Sequence, residues 1–127
     1  WMFASGGLYL RPRELCKIGY LFLNDGYWNE TQVITPEWIS ESTQGYIVTD
    51  NLIPQSDAYG YQWWIMDFRA NNTSYDCFFA AGWGEQYMFI FPAQDMIIAI
   101  NCGNFLEYGG VSAFNLVEEY ILTALTE

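Results

Sequence analysis

A long apolar stretch, residues 78–92, constrains the fold of this chain more than any other feature. Only Glu85 and Gln86 are clearly polar within it. A second apolar run, residues 96–100, follows after a short link. Apolar runs without polar alternation predict strands covered on both faces, and the short link predicts an antiparallel hairpin. The sequence therefore predicts a central sheet with other elements packed on each side.

Two glycines, Gly82 and Gly84, interrupt the first apolar stretch. They indicate a place where the backbone bends or comes close to another group. Glycines beside a strand expose backbone amides, and such amides can hold a developing oxyanion. A β-bulge is the commoner reason for Gly-x-Gly in a strand. The residues themselves leave both interpretations open.

Helices are predicted before the sheet. Pro12 suits the first turn of a helix, and Leu15, Ile18 and Phe22 follow at helical spacing, so that one face is apolar. Gly26 is suited to the left-handed cap that ends this helix.

Further elements follow in chain order. Thr35 begins a second, short helix that fades by Thr43, because a cap, a proline and an acid occur together. Residues 45–57 read as a loop, residues 59–66 and 75–81 as strands, and residues 71–74 as a turn. A last helix is predicted over residues 111–125. Its buried face is predicted to consist of Phe114, Val117, Ile121 and Leu125.

The predicted fold class is α+β, with an antiparallel sheet of about four strands and helices packed on it. We expect one partial domain over residues 1–127. Within it, residues 1–43 form a helical entry region, and residues 44–127 form the sheet and the C-terminal helix. Because the chain begins with Trp1, we interpret it as a piece of a longer protein.

The charge of the chain excludes two classes of partner. Four basic and 15 acidic residues give a net charge of −11, which argues against binding to nucleic acid and against docking on an anionic membrane. No apolar run approaches the roughly 18 residues that span a bilayer, so no membrane span is predicted.

The residue inventory also limits the chemistry. The chain has no histidine, which removes the usual general base and the commonest metal ligand. The three cysteines, Cys16, Cys77 and Cys102, have no metal-type spacing. Cys77 and Cys102 could face each other on neighbouring strands, but free thiols are the preferred interpretation. No cofactor and no metal are predicted.

Acidic pairs and serine motifs give no catalytic centre within the chain. Glu118 and Glu119, and likewise Glu37 and Glu41, are interpreted as solvated surface acids. Neither Ser-x-x-Lys nor Gly-x-Ser-x-Gly occurs. The spelling Tyr-x-Asn at residues 27–29 follows a helix-ending turn and is interpreted as a structural coincidence.

The order of the segments resembles that of the β-lactamase-like serine hydrolases, which include class C β-lactamases, D-alanyl-D-alanine peptidases and related esterases. Residues 5–29 resemble one stretch of that family, and residues 34–38 look like its next helix. Residues 59–64 look like the first strand of its returning sheet. Residues 80–86, followed by Pro92 and Asp95, look like its third motif. The likeness covers nearly the whole chain in order, although single pieces are degenerate.

The resemblance implies that this chain is the C-terminal part of a hydrolase acting on a small ester, amide or peptide. The nucleophile motif Ser-x-x-Lys would lie in a missing N-terminal part, so the chain alone has no catalytic residue. The third motif would place a substrate-binding strand along these residues: Ala80, Ala81, Gly82, Trp83 and Gly84. The backbone N–H of Trp83 would then be the oxyanion-hole candidate. By family resemblance alone, the parent protein would be periplasmic or extracellular.

Two positions depart from the family pattern. Ala80 replaces a cationic or titratable residue, which puts recognition of a substrate carboxylate in doubt. Glu85 stands where related sequences often have Gly. The departures favour an esterase-like or peptidase-like relative over a true β-lactamase, and they leave room for a protein that has lost activity.

Two alternatives stay open. In the first, the chain is a non-catalytic module that stacks aromatic side chains on a sugar or peptide. The candidate side chains are those of Trp63, Trp64, Trp83 and Tyr87, and their placement in the core is the preferred interpretation. A half-domain would also leave apolar faces uncovered. We therefore expect a homo-oligomer, a dimer or larger.

Overall fold

A six-stranded antiparallel sheet forms the centre of the molecule, and its strands lie side by side in the order in which they follow along the chain. The computed structural model describes residues 7–49, 56–105 and 112–125. Four strands are long, namely β5 (Trp64–Ala70), β6 (Thr73–Gly82), β7 (Gln86–Phe91) and β8 (Met96–Asn101). Two strands of two residues each, β3 (Ile47–Val48) and β4 (Ala58–Tyr59), extend the β5 side. A separate hairpin pairs β1 (Tyr27–Trp28) with β2 (Thr31–Gln32).

The fold class is thus α+β with an antiparallel sheet, as the sequence predicts, but the sheet has six strands rather than about four. The loop prediction for residues 45–57 is wrong at β3, since a two-residue strand carries too little apolar pattern to be recognised. The strand prediction for residues 59–66 is wrong in its bounds. The chain turns between Gly60 and Trp63, where the Gly60 N–H donates to the Trp63 carbonyl at 2.8 Å, and β5 begins only at Trp64.

Both faces of the sheet are covered, as predicted. Side chains alternate along each strand, so Met66, Phe68, Phe79, Phe89 and Phe91 point to one face and pack with the C-terminal helix. The Phe114 ring of that helix lies against four rings of the sheet side, those of Phe68, Phe79, Tyr87 and Phe89, at centroid distances of 5.1 to 5.9 Å.

The opposite face of the sheet carries α1 (Pro12–Leu23). Leu15, Ile18 and Phe22 pack there on a cluster that includes Phe78 and Ile90, which confirms the predicted apolar face of the helix. At the end of α1, Asp25 (φ 47°) takes the first left-handed position and Gly26 (φ 81°) the next. Gly26 donates its N–H to the Leu21 carbonyl at 2.6 Å, so the cap spans two left-handed residues rather than Gly26 alone.

The second helix, α2 (Pro36–Ser42), begins where the sequence predicts. The Thr35 Oγ1 accepts a hydrogen bond from the Trp38 N–H at 3.2 Å, and the cap residue at the far end is Thr43. None of the helices in the described part of the chain is long and apolar enough to cross a membrane.

The C-terminal helix differs from the prediction in its winding. After Ala113–Asn115 (α3) the chain continues as a π-helix over Leu116–Leu122; Val111 lies outside the described residues. Phe114 and Val117 are buried as predicted, but Leu125 is 50% exposed and Leu122 is fully buried instead. The predicted face follows from 3.6 residues per turn, whereas a π-helix takes more residues per turn and therefore moves the buried face.

Candidate functional site

The predicted site residues lie at the tip of the β6–β7 hairpin. The ladder runs to the pair Gly82↔Gln86, so Trp83, Gly84 and Glu85 form a three-residue turn. Gly-x-Gly is therefore neither a bulge nor a break within one strand, but the end of β6 and the turn that follows. The site residues are brought together simply because they are consecutive in the chain.

The close approach predicted at the glycines is confirmed at Gly84. Its φ is +83°, and a Cβ added there would lie 2.5 Å from Cε1 of Phe105. The Gly84 carbonyl also accepts a hydrogen bond from the Asn104 N–H at 3.2 Å. The turn is thus held against the segment that follows β8, and that segment fixes its conformation.

One edge of β6 is open beside the candidate site. The β5–β6 ladder ends at the pair Trp64↔Phe79, whereas the β6–β7 ladder continues through Ala80, Ala81 and Gly82. In an antiparallel sheet, alternate residues direct their N–H and C=O groups to opposite sides. Over residues 80–82, the side away from β7 therefore presents backbone donors and acceptors that no strand within the described residues pairs.

The solvent can reach this edge. Ala81, Gly82 and Trp83 are exposed, Ala80 is half-buried and Gly84 is buried. The Trp83 side chain is 77% exposed. Within the described part of the chain, the Trp83 N–H donates to no backbone or side-chain acceptor. An amide of this kind at the end of an open strand edge can donate to a ligand oxygen.

A short network of hydrogen bonds joins the turn to the segment that follows β8. Gln86 donates through Nε2 to the Cys102 carbonyl, and the Cys102 N–H donates to the Glu85 carbonyl at 3.2 Å. The Glu85 carboxylate accepts from Asn104 Nδ2 at 2.8 Å. Sequence reasoning did not identify Asn104 or Phe105 as neighbours of the site, because their proximity depends on the pairing of β7 with β8.

Tyr87, which follows Gln86 in β7, is affected both by burial and by the charge of Glu85. Burial raises the pKa of the Tyr87 hydroxyl, and the nearby charge of Glu85 raises it further. Tyr87 is therefore a neutral phenol at physiological pH, packed into the aromatic core. The negative charge of Glu85 acts on the groups around the turn.

The aromatic residues proposed for sugar or peptide stacking are mostly core. Trp63 is 7% exposed, while Trp64 and Tyr87 are half-buried against the main cluster. Trp83 alone of the four is exposed. The structure places another group at the surface, in which the Tyr61 ring lies 5.3 Å from Trp38 and 5.2 Å from Tyr46 between ring centroids.

The cysteines are free thiols. The suggestion that Cys77 and Cys102 face each other on neighbouring strands is wrong, because β7 lies between β6, which carries Cys77, and β8, which Cys102 follows. Among the described residues, no cluster of three or more potential ligands could hold a metal ion.

No protein-family model matches the sequence, and a search of curated proteins finds no match.

Proposed function

We propose that this chain is the C-terminal portion of a β-lactamase-like serine hydrolase, which transfers the acyl group of an ester, amide or peptide. One observation carries the proposal. The third-motif positions, residues 80–82, coincide with the open edge of β6 and are followed by an exposed residue, Trp83, whose N–H donates to no acceptor among the described residues. The resemblance drawn from the sequence places the oxyanion amide at this residue.

The chemistry would proceed in two steps. A serine hydroxyl from outside these residues attacks the substrate carbonyl, and a paired base takes its proton. The Trp83 N–H then donates to the carbonyl oxygen as negative charge develops on it. The leaving group departs with a proton, and water hydrolyses the acyl-enzyme in the second step. This chain would supply one oxyanion donor and one wall of the groove.

The open edge would also orient the substrate. An extended substrate can pair with the free N–H and C=O groups of residues 80–82, in the way that a peptide adds a strand to a sheet. Pairing of this kind fixes the reacting carbonyl relative to the turn and lowers the entropic cost of the reaction.

The first test compares the 127-residue chain with the gene product that also contains its upstream residues. With p-nitrophenyl esters and nitrocefin as substrates, we expect no turnover by the chain alone and ester turnover by the longer protein. Clear turnover by the chain alone would contradict the proposal, because the chain contains no Ser-x-x-Lys motif.

The second test removes the Trp83 N–H and keeps the indole. Incorporation of indolelactic acid at position 83 of the longer protein replaces the amide by an ester, and kcat should fall about 10²- to 10³-fold. The same replacement at Trp28, in the exposed β1–β2 hairpin, is the matched control and should leave kcat unchanged. An unchanged kcat at position 83 would refute the role of this amide.

A second candidate function is a binding module. The half-exposed group of Trp38, Tyr46 and Tyr61 favours it, because stacked rings at a surface bind the apolar faces of sugars or peptides. A saccharide that changes the tryptophan fluorescence of the native chain, and not that of a Tyr61→Ala variant, would support this candidate.

A further inference from the structure

The turn at the candidate site carries an acidic side chain, Glu85, whose position is fixed by the chain around it. The backbone of Glu85 lies in the left-handed region, at φ 63°. Its carbonyl accepts from the Cys102 N–H, and its carboxylate Oε2 accepts from Asn104 Nδ2 at 2.8 Å. The carboxylate is therefore held beside the turn and does not move freely in solvent.

The partner of this carboxylate does not neutralise it. Asn104 is an uncharged donor, so it brings no positive charge to the Glu85 carboxylate. Of the basic residues, Arg13 and Lys17 lie in α1, and Arg69 lies in β5, paired with Ser74 at the far end of the β5–β6 ladder. Arg11 follows Leu10, whose carbonyl accepts from Asn101 Nδ2 at 3.3 Å, and within the described residues it forms no ion pair with Glu85. The rim of the site is thus anionic.

The rest of the rim is apolar. Trp83 is 77% exposed and Phe105 is 52% exposed, and the Phe105 ring lies directly over Gly84. Ala80 contributes only a methyl group to the strand. An apolar, negatively charged rim favours neutral or cationic groups over carboxylates.

We infer that Glu85 determines the charge of the substrate, so that the site accepts neutral and cationic esters and rejects esters that carry a carboxylate. The inference rests on the proposed acyl-transfer function and names the substrate class of that same site. The Cα atoms of Glu85 and of Trp83, which bears the oxyanion donor, are at most about 7 Å apart along the chain, so the two residues are close neighbours at the site. For two unit charges about 7 Å apart, the interaction changes a rate roughly threefold even with the dielectric constant of water, and more where water is excluded.

Glu85 has a second consequence for turnover. The same charge opposes the negative oxygen that develops at the Trp83 N–H. Replacing Glu85 by glutamine should therefore raise the rate with a neutral ester by about threefold, and it should raise the rate with an anionic ester by more. The rate with a cationic ester should gain least.

The test uses the longer gene product and three p-nitrophenyl esters of similar length: butyrate, hemisuccinate and trimethylammoniobutyrate. In the native protein, kcat/KM should fall at least threefold at each step from the cationic to the neutral to the anionic ester. Glu85→Gln should bring the three values to within about twofold of one another. Asp95→Asn is the matched control, because Asp95 lies in the β7–β8 turn with a φ of 47° that asparagine tolerates; it should keep the native ratios.

Fluorescence quenching provides a readout that needs no turnover. The fluorescence of Trp83 is obtained by subtracting the emission of a Trp83→Phe variant. It should be quenched more by caesium than by iodide, and Glu85→Gln should make the two ions quench it equally. Equal ester rates in the native protein, or ratios unchanged by Glu85→Gln, would overturn the inference alone. No turnover of any ester would overturn the proposed function and the substrate preference with it.

Discussion

The contact between Gly84 and Phe105 provides a quantitative test of how the site turn is held. Gly84 is buried and has a φ of +83°, and a Cβ there would lie 2.5, 2.8 and 3.1 Å from three atoms of the Phe105 ring. Alanine at position 84 therefore meets two separate penalties. One is the left-handed backbone, at about 1–2 kcal/mol, and the other is displacement of the ring.

The steric penalty can be isolated with a second variant. Phe105 is 52% exposed, so Phe105→Ala should cost about 1 kcal/mol, roughly half the value of burying a whole side chain of this size. Gly84→Ala should lower the free energy of unfolding by about 2–3 kcal/mol in the native background. In the Phe105→Ala background, only the backbone penalty of about 1–2 kcal/mol should remain.

Urea denaturation followed by tryptophan fluorescence measures the free energy of unfolding of the native chain, of the two single variants and of the double variant. Gly103→Ala is the matched control, because a Cβ at Gly103 would lie 3.8 Å from the same ring, an ordinary contact, and its φ is not positive. It should change the stability by less than about 1 kcal/mol. The reasoning is refuted if Gly84→Ala is as stable as the native chain, or if its cost is the same with and without the Phe105 ring.

Three further predictions concern the rest of the fold. Leu122→Ala should destabilise the protein by about 2–5 kcal/mol and Leu125→Ala by less than about 1 kcal/mol in urea denaturation, because the π-helix buries the first and exposes the second. Burial raises the pKa of the Cys77 thiol, so native Cys77 should resist iodoacetamide until the protein unfolds. Burial, and then the charge of Asp76 directly across the ladder, raise the pKa of Asp67. Asp67→Asn should therefore stabilise the protein at pH 7 by about 0.2–1 kcal/mol.

The sign of the pH effect follows from proton linkage. The folded pKa of Asp67 is raised above its unfolded value of 3.8, so the folded state binds more protons between these two pKa values. The stability contributed by this group is present below the unfolded pKa and is lost as the pH rises through the folded pKa. The stability difference between Asp67→Asn and the native protein should grow over that window. A constant difference would contradict the assignment.

The oligomer expected from the sequence is also open to measurement. Sedimentation at micromolar concentration should show a dimer or larger species, since a partial domain would leave apolar surface uncovered. A monomer would argue against this expectation.

Local sequence patterns predict those elements in which the spacing of the apolar residues corresponds to the faces that are buried. Two packed faces need continuous apolar strands, so β6, β7 and β8 could be recognised from residues 78–100. The cap of α2 was recognised because threonine, proline and glutamate at its start each satisfy a known requirement of a helix N-terminus. These features depend only on residues close together in the chain.

Features that depend on distant residues could not be predicted. The open edge of β6 arises because β5 ends opposite Phe79, and nothing within residues 80–82 encodes where β5 ends. Asn104 and Phe105 reach the turn only through the pairing of β7 with β8. The π-helix at Leu116–Leu122 could not be predicted, because residues 116–122 contain no glycine or proline that would mark a change in winding.

The most direct test of the central claim is detection of the nucleophile. A fluorophosphonate probe should label the longer gene product at a single serine, within a Ser-x-x-Lys sequence outside residues 1–127, and mass spectrometry locates the adduct. The 127-residue chain alone should take no label. A labelled serine within these residues, or no label on the longer protein, would contradict the account.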